Sequence, residues 1–125
     1  MLAAVECNAG FGHGICGAFV TPPRVAYIQP KNQSTVDLTG KTGIIFRWNK
    51  VPMAAGGVHA YRFKIYKGFG YEVVVSKKLD RGVFEIEIPA AAFENGVAYT
   101  WKVQQRDDNS MNWSQYDIWN FKVVK

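Results

Sequence analysis

Phe93-Glu94-Asn95-Gly96-Val97-Ala98-Tyr99-Thr100-Trp101-Lys102-Val103 is the stretch on which the reading of this chain turns. Asn95-Gly96 is a strong turn signal, because both residue types tolerate the left-handed backbone of tight turns. From Tyr99 onward large apolar residues alternate with polar ones: Tyr99, Trp101 and Val103 fall on one side, Thr100 and Lys102 on the other. A period of two is that of a strand with one buried face. A buried Tyr must also satisfy its hydroxyl, so the turn before it has to offer a backbone partner.

The same alternation recurs outward in both directions. Val25-Ala26-Tyr27-Ile28 reads as a first strand closed by Pro30, and Ile44, Phe46 and Trp48 share one face of a second. Tyr61, Phe63 and Ile65 point one way, with Arg62, Lys64 and Tyr66 the other. Tyr71-Glu72-Val73-Val74-Val75, Phe84-Glu85-Ile86-Glu87-Ile88 and Trp119-Asn120-Phe121-Lys122-Val123 supply three more strands. Turn residues separate them at Thr39-Gly40, Ala55-Gly56-Gly57, Gly68-Phe69-Gly70, Asp80-Arg81-Gly82 and Asp107-Asp108-Asn109-Ser110. Only Pro89-Ala90-Ala91-Ala92-Phe93-Glu94 has helical potential, for a turn or two. About seven strands, each with one buried face, predict an all-β protein: a two-sheet antiparallel β-sandwich.

The bulk numbers agree. A chain of 125 residues fits one domain. A hydrophobic fraction of 48% with 8 Phe, 6 Tyr and 4 Trp excludes intrinsic disorder. No uncharged apolar run approaches the roughly 20 residues of a membrane-spanning helix. Fifteen Lys and Arg against ten Asp and Glu give +5, a balance that favours anionic partners such as an acidic polysaccharide or an acidic protein surface. No Lys/Arg block or Arg-Gly repeat occurs, which argues against a nucleic acid.

Residues 22–125 resemble a fibronectin type III domain of the kind found in bacterial surface proteins. Phe46-Arg47-Trp48 matches the buried Trp of the second strand in that family, and Tyr61-Arg62-Phe63-Lys64-Ile65-Tyr66 matches its third. The opening stretch resembles the tyrosine corner, Phe93 standing for the usual Leu and Tyr99 for the corner Tyr. Trp48 and Trp101 are then the core tryptophans. Trp113-Ser114-Gln115-Tyr116-Asp117 resembles, in part, the Trp-Ser-x-Trp-Ser element of cytokine-receptor members, where Trp rings stack on Arg and Lys of a neighbouring strand. The resemblance implies an immunoglobulin-like sandwich, and the fold hosts many unrelated roles.

Residues 1–21 have no counterpart in that family. Asn8 to Val20 is Gly-rich, apolar and without Asp, Glu, Lys or Arg, and reads as an extended N-terminal arm. Phe11, Ile15 and Phe19 are its candidate assembly residues; the competing reading is a leader remnant. Cys7 and Cys16 are the two cysteines, spaced to close a small disulfide loop in an oxidising compartment or to stay as reduced thiols in the cytosol.

Signatures of catalysis are missing. There is no Gly-x-Ser-x-Gly elbow, phosphate loop, His-Glu-x-x-His or Cys-x-x-Cys. Glu85 and Glu87 share the solvent side of one strand, where carboxylates solubilise. Cys7, His13 and Cys16 lack the fourth ligand and tight spacing of a structural zinc site. Asp107, Asp108 and Asn109 lack the spacing of a calcium loop. The expectation is a non-enzymatic module with no cofactor and no metal.

The alternation also predicts a binding face. Arg62, Lys64, Tyr66, Lys102, Gln104, Arg106 and Lys122 all fall on the outward side of adjacent strands. Phe69, Tyr71, Trp113 and Tyr116 are aromatic residues on loops, a type that stacks on sugar rings. Two functions follow as expectations: a secreted or cell-surface assembly subunit that associates with itself or another surface protein through its arm, or an adhesion module for carbohydrate or protein.

Overall fold

The computed structural model describes residues 22–51, 57–70, 72–107 and 111–125. The described residues form eight strands: β1 (Ala26–Gln29), β2 (Ser34–Asp37), β3 (Gly43–Asn49), β4 (Val58–Lys67), β5 (Glu72–Asp80), β6 (Glu85–Pro89), β7 (Ala98–Asp107) and β8 (Trp119–Val124). They form a three-stranded sheet in the order β1-β3-β6 and a five-stranded sheet in the order β2-β8-β7-β4-β5. The helical potential before Phe93 is spent in one 3-10 turn, Ala90–Ala92.

The core lies where the alternation puts it. Ile44, Phe46 and Trp48 of β3 face Tyr61, Phe63 and Ile65 of β4 and Tyr99, Trp101 and Val103 of β7, all of them buried. Phe46 is the hub: its ring meets Phe63, Trp101 and Phe121 edge-on at 5.1–5.6 Å. Edge-to-face packing suits the aromatic quadrupole, and these four large rings meet between the sheets.

Three features depart from the sequence expectation. Ser34–Asp37 is an additional strand, and it pairs with β8 in parallel, so the larger sheet is mixed. Four residues after a Pro carry too little alternation to declare themselves. The strand beginning near residue 72 is nine residues long, about twice the expected run, because it follows β4 as a hairpin arm from Lys67↔Glu72 to Ala60↔Asp80. Phe84 precedes β6 and is half-exposed at the rim, not a third core residue of that strand. Its ring packs edge-on against Tyr61.

The tyrosine corner has concrete geometry. The Glu94 N–H donates to the Tyr99 hydroxyl at 2.7 Å, and the Phe93 and Tyr99 rings meet edge-on at 5.0 Å. Gly96 takes φ +78°, which a Cβ would strain. The turn is closed from outside as well, where Lys125 N–H donates to Asn95 Oδ1 at 2.8 Å.

Candidate functional site

The outward positions of the three central strands β4, β7 and β8 carry Arg62, Lys64, Lys102, Arg106 and Lys122, and no carboxylate. Register brings them together. Arg62 lies opposite Gln104, Lys64 opposite Lys102, and Tyr66 opposite Thr100. Lys122 lies opposite Ala98, further along the same face. Two like charges directly across a strand pair repel, so the Lys64 and Lys102 pairing is a cost the fold accepts.

Residues 111–118 divide this face in two. They run beside β7 beyond the end of β8. Ser114 N–H donates to the Gln105 carbonyl at 2.8 Å, and Gln105 N–H donates to Ser114 Oγ at 3.0 Å. Trp113 reaches over the sheet, with the Arg62 guanidinium 4.3 Å and the Arg106 guanidinium 5.4 Å from its ring centroid. Arg62 also donates through two nitrogens to Gln104 Oε1, and Gln104 Nε2–H donates to the Ser114 carbonyl at 2.7 Å. Gln104 is only 6% exposed. At this end the cations serve the domain itself. Arg62, Gln104 and Arg106, read from the alternation as parts of an open basic stripe, are roofed by the chain's own Trp113.

The opposite end is open. Tyr66, Phe69, Thr100, Lys102, Tyr116 and Ile118, with Gly70, line a shallow groove of about 100 Å³. Lys102 Nζ lies 3.8 Å from the centroid of the Tyr116 ring and 5.6 Å from that of Tyr66, so the ammonium is held over aromatic faces. Among the described residues Lys102 and Lys64 have no ion-pair partner, whereas Arg24 pairs with Asp117, Arg47 with Glu85 and Lys67 with Glu94. Phe69 is 79% and Ile118 57% exposed at the groove rim.

Phe69 is displayed by design of the turn. Gly68 and Gly70 take φ +67° and +143°, backbone that L side chains resist, and they bracket the ring. The turn is pinned: Thr100 Oγ1 donates to the Gly68 carbonyl at 2.6 Å, and Gly68 N–H donates to the Ala98 carbonyl at 2.8 Å. Tyr27 of β1 positions the other wall. Its hydroxyl accepts from Val103 N–H at 2.9 Å and donates to the Asp117 carbonyl at 2.6 Å, while its ring stacks on Trp101 at 4.6 Å. Burial pushes the Tyr27 phenol well above its ordinary range. Arg24 completes the brace, donating to Asp117 Oδ1 at 2.8 Å and Gln115 Oε1 at 2.9 Å.

Of the sequence-chosen residues, the structure brings Lys64, Tyr66, Lys102, Phe69 and Tyr116 to one end of the face and Arg62, Arg106 and Trp113 to the other. Phe93, Tyr99, Trp48 and Trp101 are structural. Ile118 and Thr100 are groove residues that the sequence reading missed. Their signal is weak, since a lone exposed Ile before a strand and a strand Thr are ordinary. Glu85 and Glu87 lie on the far sheet, bound to Arg47 and to the Thr42 hydroxyl. Cys7, Cys16, His13, Phe11, Ile15, Phe19, Tyr71, Asp108 and Asn109 lie outside the described residues. Among the described residues no cluster of His, Cys, Asp and Glu could hold a metal ion, and no helix is long and apolar enough to cross a membrane.

No protein-family model and no curated protein matches the chain. Solved structures do. A fibronectin type III domain of the human fibronectin type III domain containing protein 3 superposes with a TM-score of 0.53 at 15% identity, over 84% of this chain and 88% of that one. A myokine structure aligns at TM-score 0.54 and 12% identity, over 84% and 97%. The spore cortex lytic enzyme SleM of Clostridium perfringens aligns at 0.54 and 13%, over 89% of this chain but 31% of the enzyme. At these identities the likeness is one of fold.

Proposed function

From a fibronectin type III-like sandwich, a fold that serves as a protein-interaction module, we propose a non-enzymatic domain that works by protein–protein contact outside the cytoplasm. In this reading it is an assembly unit at a cell surface or in a filament, each copy extending its N-terminal arm onto a neighbour. The observation that carries it is β5. This nine-residue strand is the longer of the two outer strands of the larger sheet, hydrogen-bonded to β4 on one side only among the described residues. Val73 stands 48% exposed at its start. An open edge is a template for an added strand. Residues 8–20 have a matching composition, uncharged and apolar with Phe11, Ile15 and Phe19. One arm and one edge per copy make a head-to-tail contact, which builds open chains unless the rotation closes.

The test is the native mass of the intact chain and of a chain lacking residues 1–20, each with and without reductant. Loss of an oligomer on deletion supports assembly through the arm. Sensitivity to reductant places Cys7 and Cys16 in that contact. Monomers under every condition overturn the assembly reading and leave an adhesion module that binds a different molecule.

A further inference from the structure

The geometry points to the groove between the Gly68-Phe69-Gly70 turn and residues 116–118 as a docking site for an extended acidic peptide segment with an apolar anchor residue. This goes beyond the assembly reading and uses different strands' faces, not the β5 edge.

Four observations converge. The groove floor is a cation, Lys102, with Lys64 directly opposite it in register and no carboxylate among the outward residues of β4, β7 and β8. A carboxylate docked there relieves the repulsion between the two lysines and meets a Lys102 ammonium already held over the Tyr116 and Tyr66 rings. The rim is apolar: Phe69 and Ile118 are the two most exposed large hydrophobic residues among those described. An exposed Phe costs solvation unless something covers it, and two glycines at positive φ with a bond from Thr100 to the Gly68 carbonyl fix the backbone that presents it, which lowers the ordering cost on binding.

The occupant is a peptide in preference to an acidic sugar because the rim is mixed. The Lys102 ammonium sits over the ring of Tyr116, and of the two most exposed rim residues only Phe69 is aromatic, while Ile118 gives a sugar ring no stacking face. Phe69 and Ile118 together offer an apolar rim for an aliphatic or aromatic side chain next to a charge. That is the pattern of a carboxylate two or three residues from an apolar residue in extended chain.

The test is selection of a displayed random 12-residue peptide library on the intact chain, counter-selected on the Phe69→Ser/Lys102→Gln double variant. Both side chains are outside the core, so the fold is retained, and near-ultraviolet circular dichroism checks it. Enriched peptides are expected to carry Asp or Glu near an aliphatic or aromatic residue. Their affinity should fall about tenfold or more in Lys102→Gln and about fivefold in Phe69→Ser, with no change in Lys41→Gln. Binding should weaken with salt in the intact chain and lose most of that dependence in Lys102→Gln. No enrichment over the double variant overturns the proposal. So do enriched peptides without an acidic residue, and so does tighter binding of oligogalacturonate than of any selected peptide. A chain that is monomeric in the native-mass experiment yet selects acidic peptides separates this site from the assembly reading.

Discussion

The two ends of the outer face of the five-stranded sheet use one chemistry for opposite purposes. At one end two guanidinium groups flank Trp113 and a glutamine ties Arg62 to Ser114, so charge, ring and backbone are mutually satisfied. At the other, an ammonium lies over two tyrosines with its lysine neighbour uncompensated, and Phe69 and Ile118 stand in water. The difference teaches that a cation–π pair by itself does not mark a binding site. What marks it is the part left unsatisfied after the domain's own contacts are counted. The closed end is expected to behave as structure, the open end as surface.

The largest expected effect lies beneath both ends. Trp101→Ala removes a fully buried ring that touches Phe46, Tyr27 and Trp119, and should cost about 3–5 kcal/mol in denaturant unfolding. It sets the scale for the outer face.

Alkaline pH comes next. Burial raises the Tyr61 phenol to about 12 and raises Tyr27 further. A raised folded-state pKa means stability is fully present below the unfolded value of about 10 and is lost as pH rises through the folded value. Thermal unfolding should therefore be flat up to about pH 10 and fall from there toward 12. Tyr61→Phe should make that fall shallower; an unchanged slope would remove Tyr61 from the account.

Tyr99→Phe leaves the Glu94 N–H without its acceptor and should cost about 1–2 kcal/mol with the fold retained. Trp113→Ala strips the stack from Arg62 and Arg106 and should cost about 1 kcal/mol, a loss that distinguishes the closed end. Phe69→Ser and Lys102→Gln at the open end should each change stability by less than about 0.5 kcal/mol. If either matched Trp113→Ala in a melting experiment, the distinction between the two ends would fail.

Much of this was legible in the residues. Tyr61, Phe63 and Ile65, and Tyr99, Trp101 and Val103, declare their buried side by alternation alone, because strand geometry forces successive side chains apart. Glu94-Asn95-Gly96 before Tyr99 carries its own turn chemistry. The basic outward positions were equally readable, but their division was not. Whether Arg62 is free depends on Trp113, fifty-one positions away. Strand β2 was invisible for a related reason: Ser34–Asp37 is held by parallel pairing to β8 rather than by any pattern of its own.

The sequence by itself therefore determined the sheet-forming pattern, the aromatic core and the tyrosine corner, all of which rest on local period and side-chain chemistry. Only the tertiary structure decided which cations are consumed and which are left open. That outcome depends on the register of β4 against β7 and on where residues 111–118 cross them, and register is a long-range property set by packing of the whole sandwich.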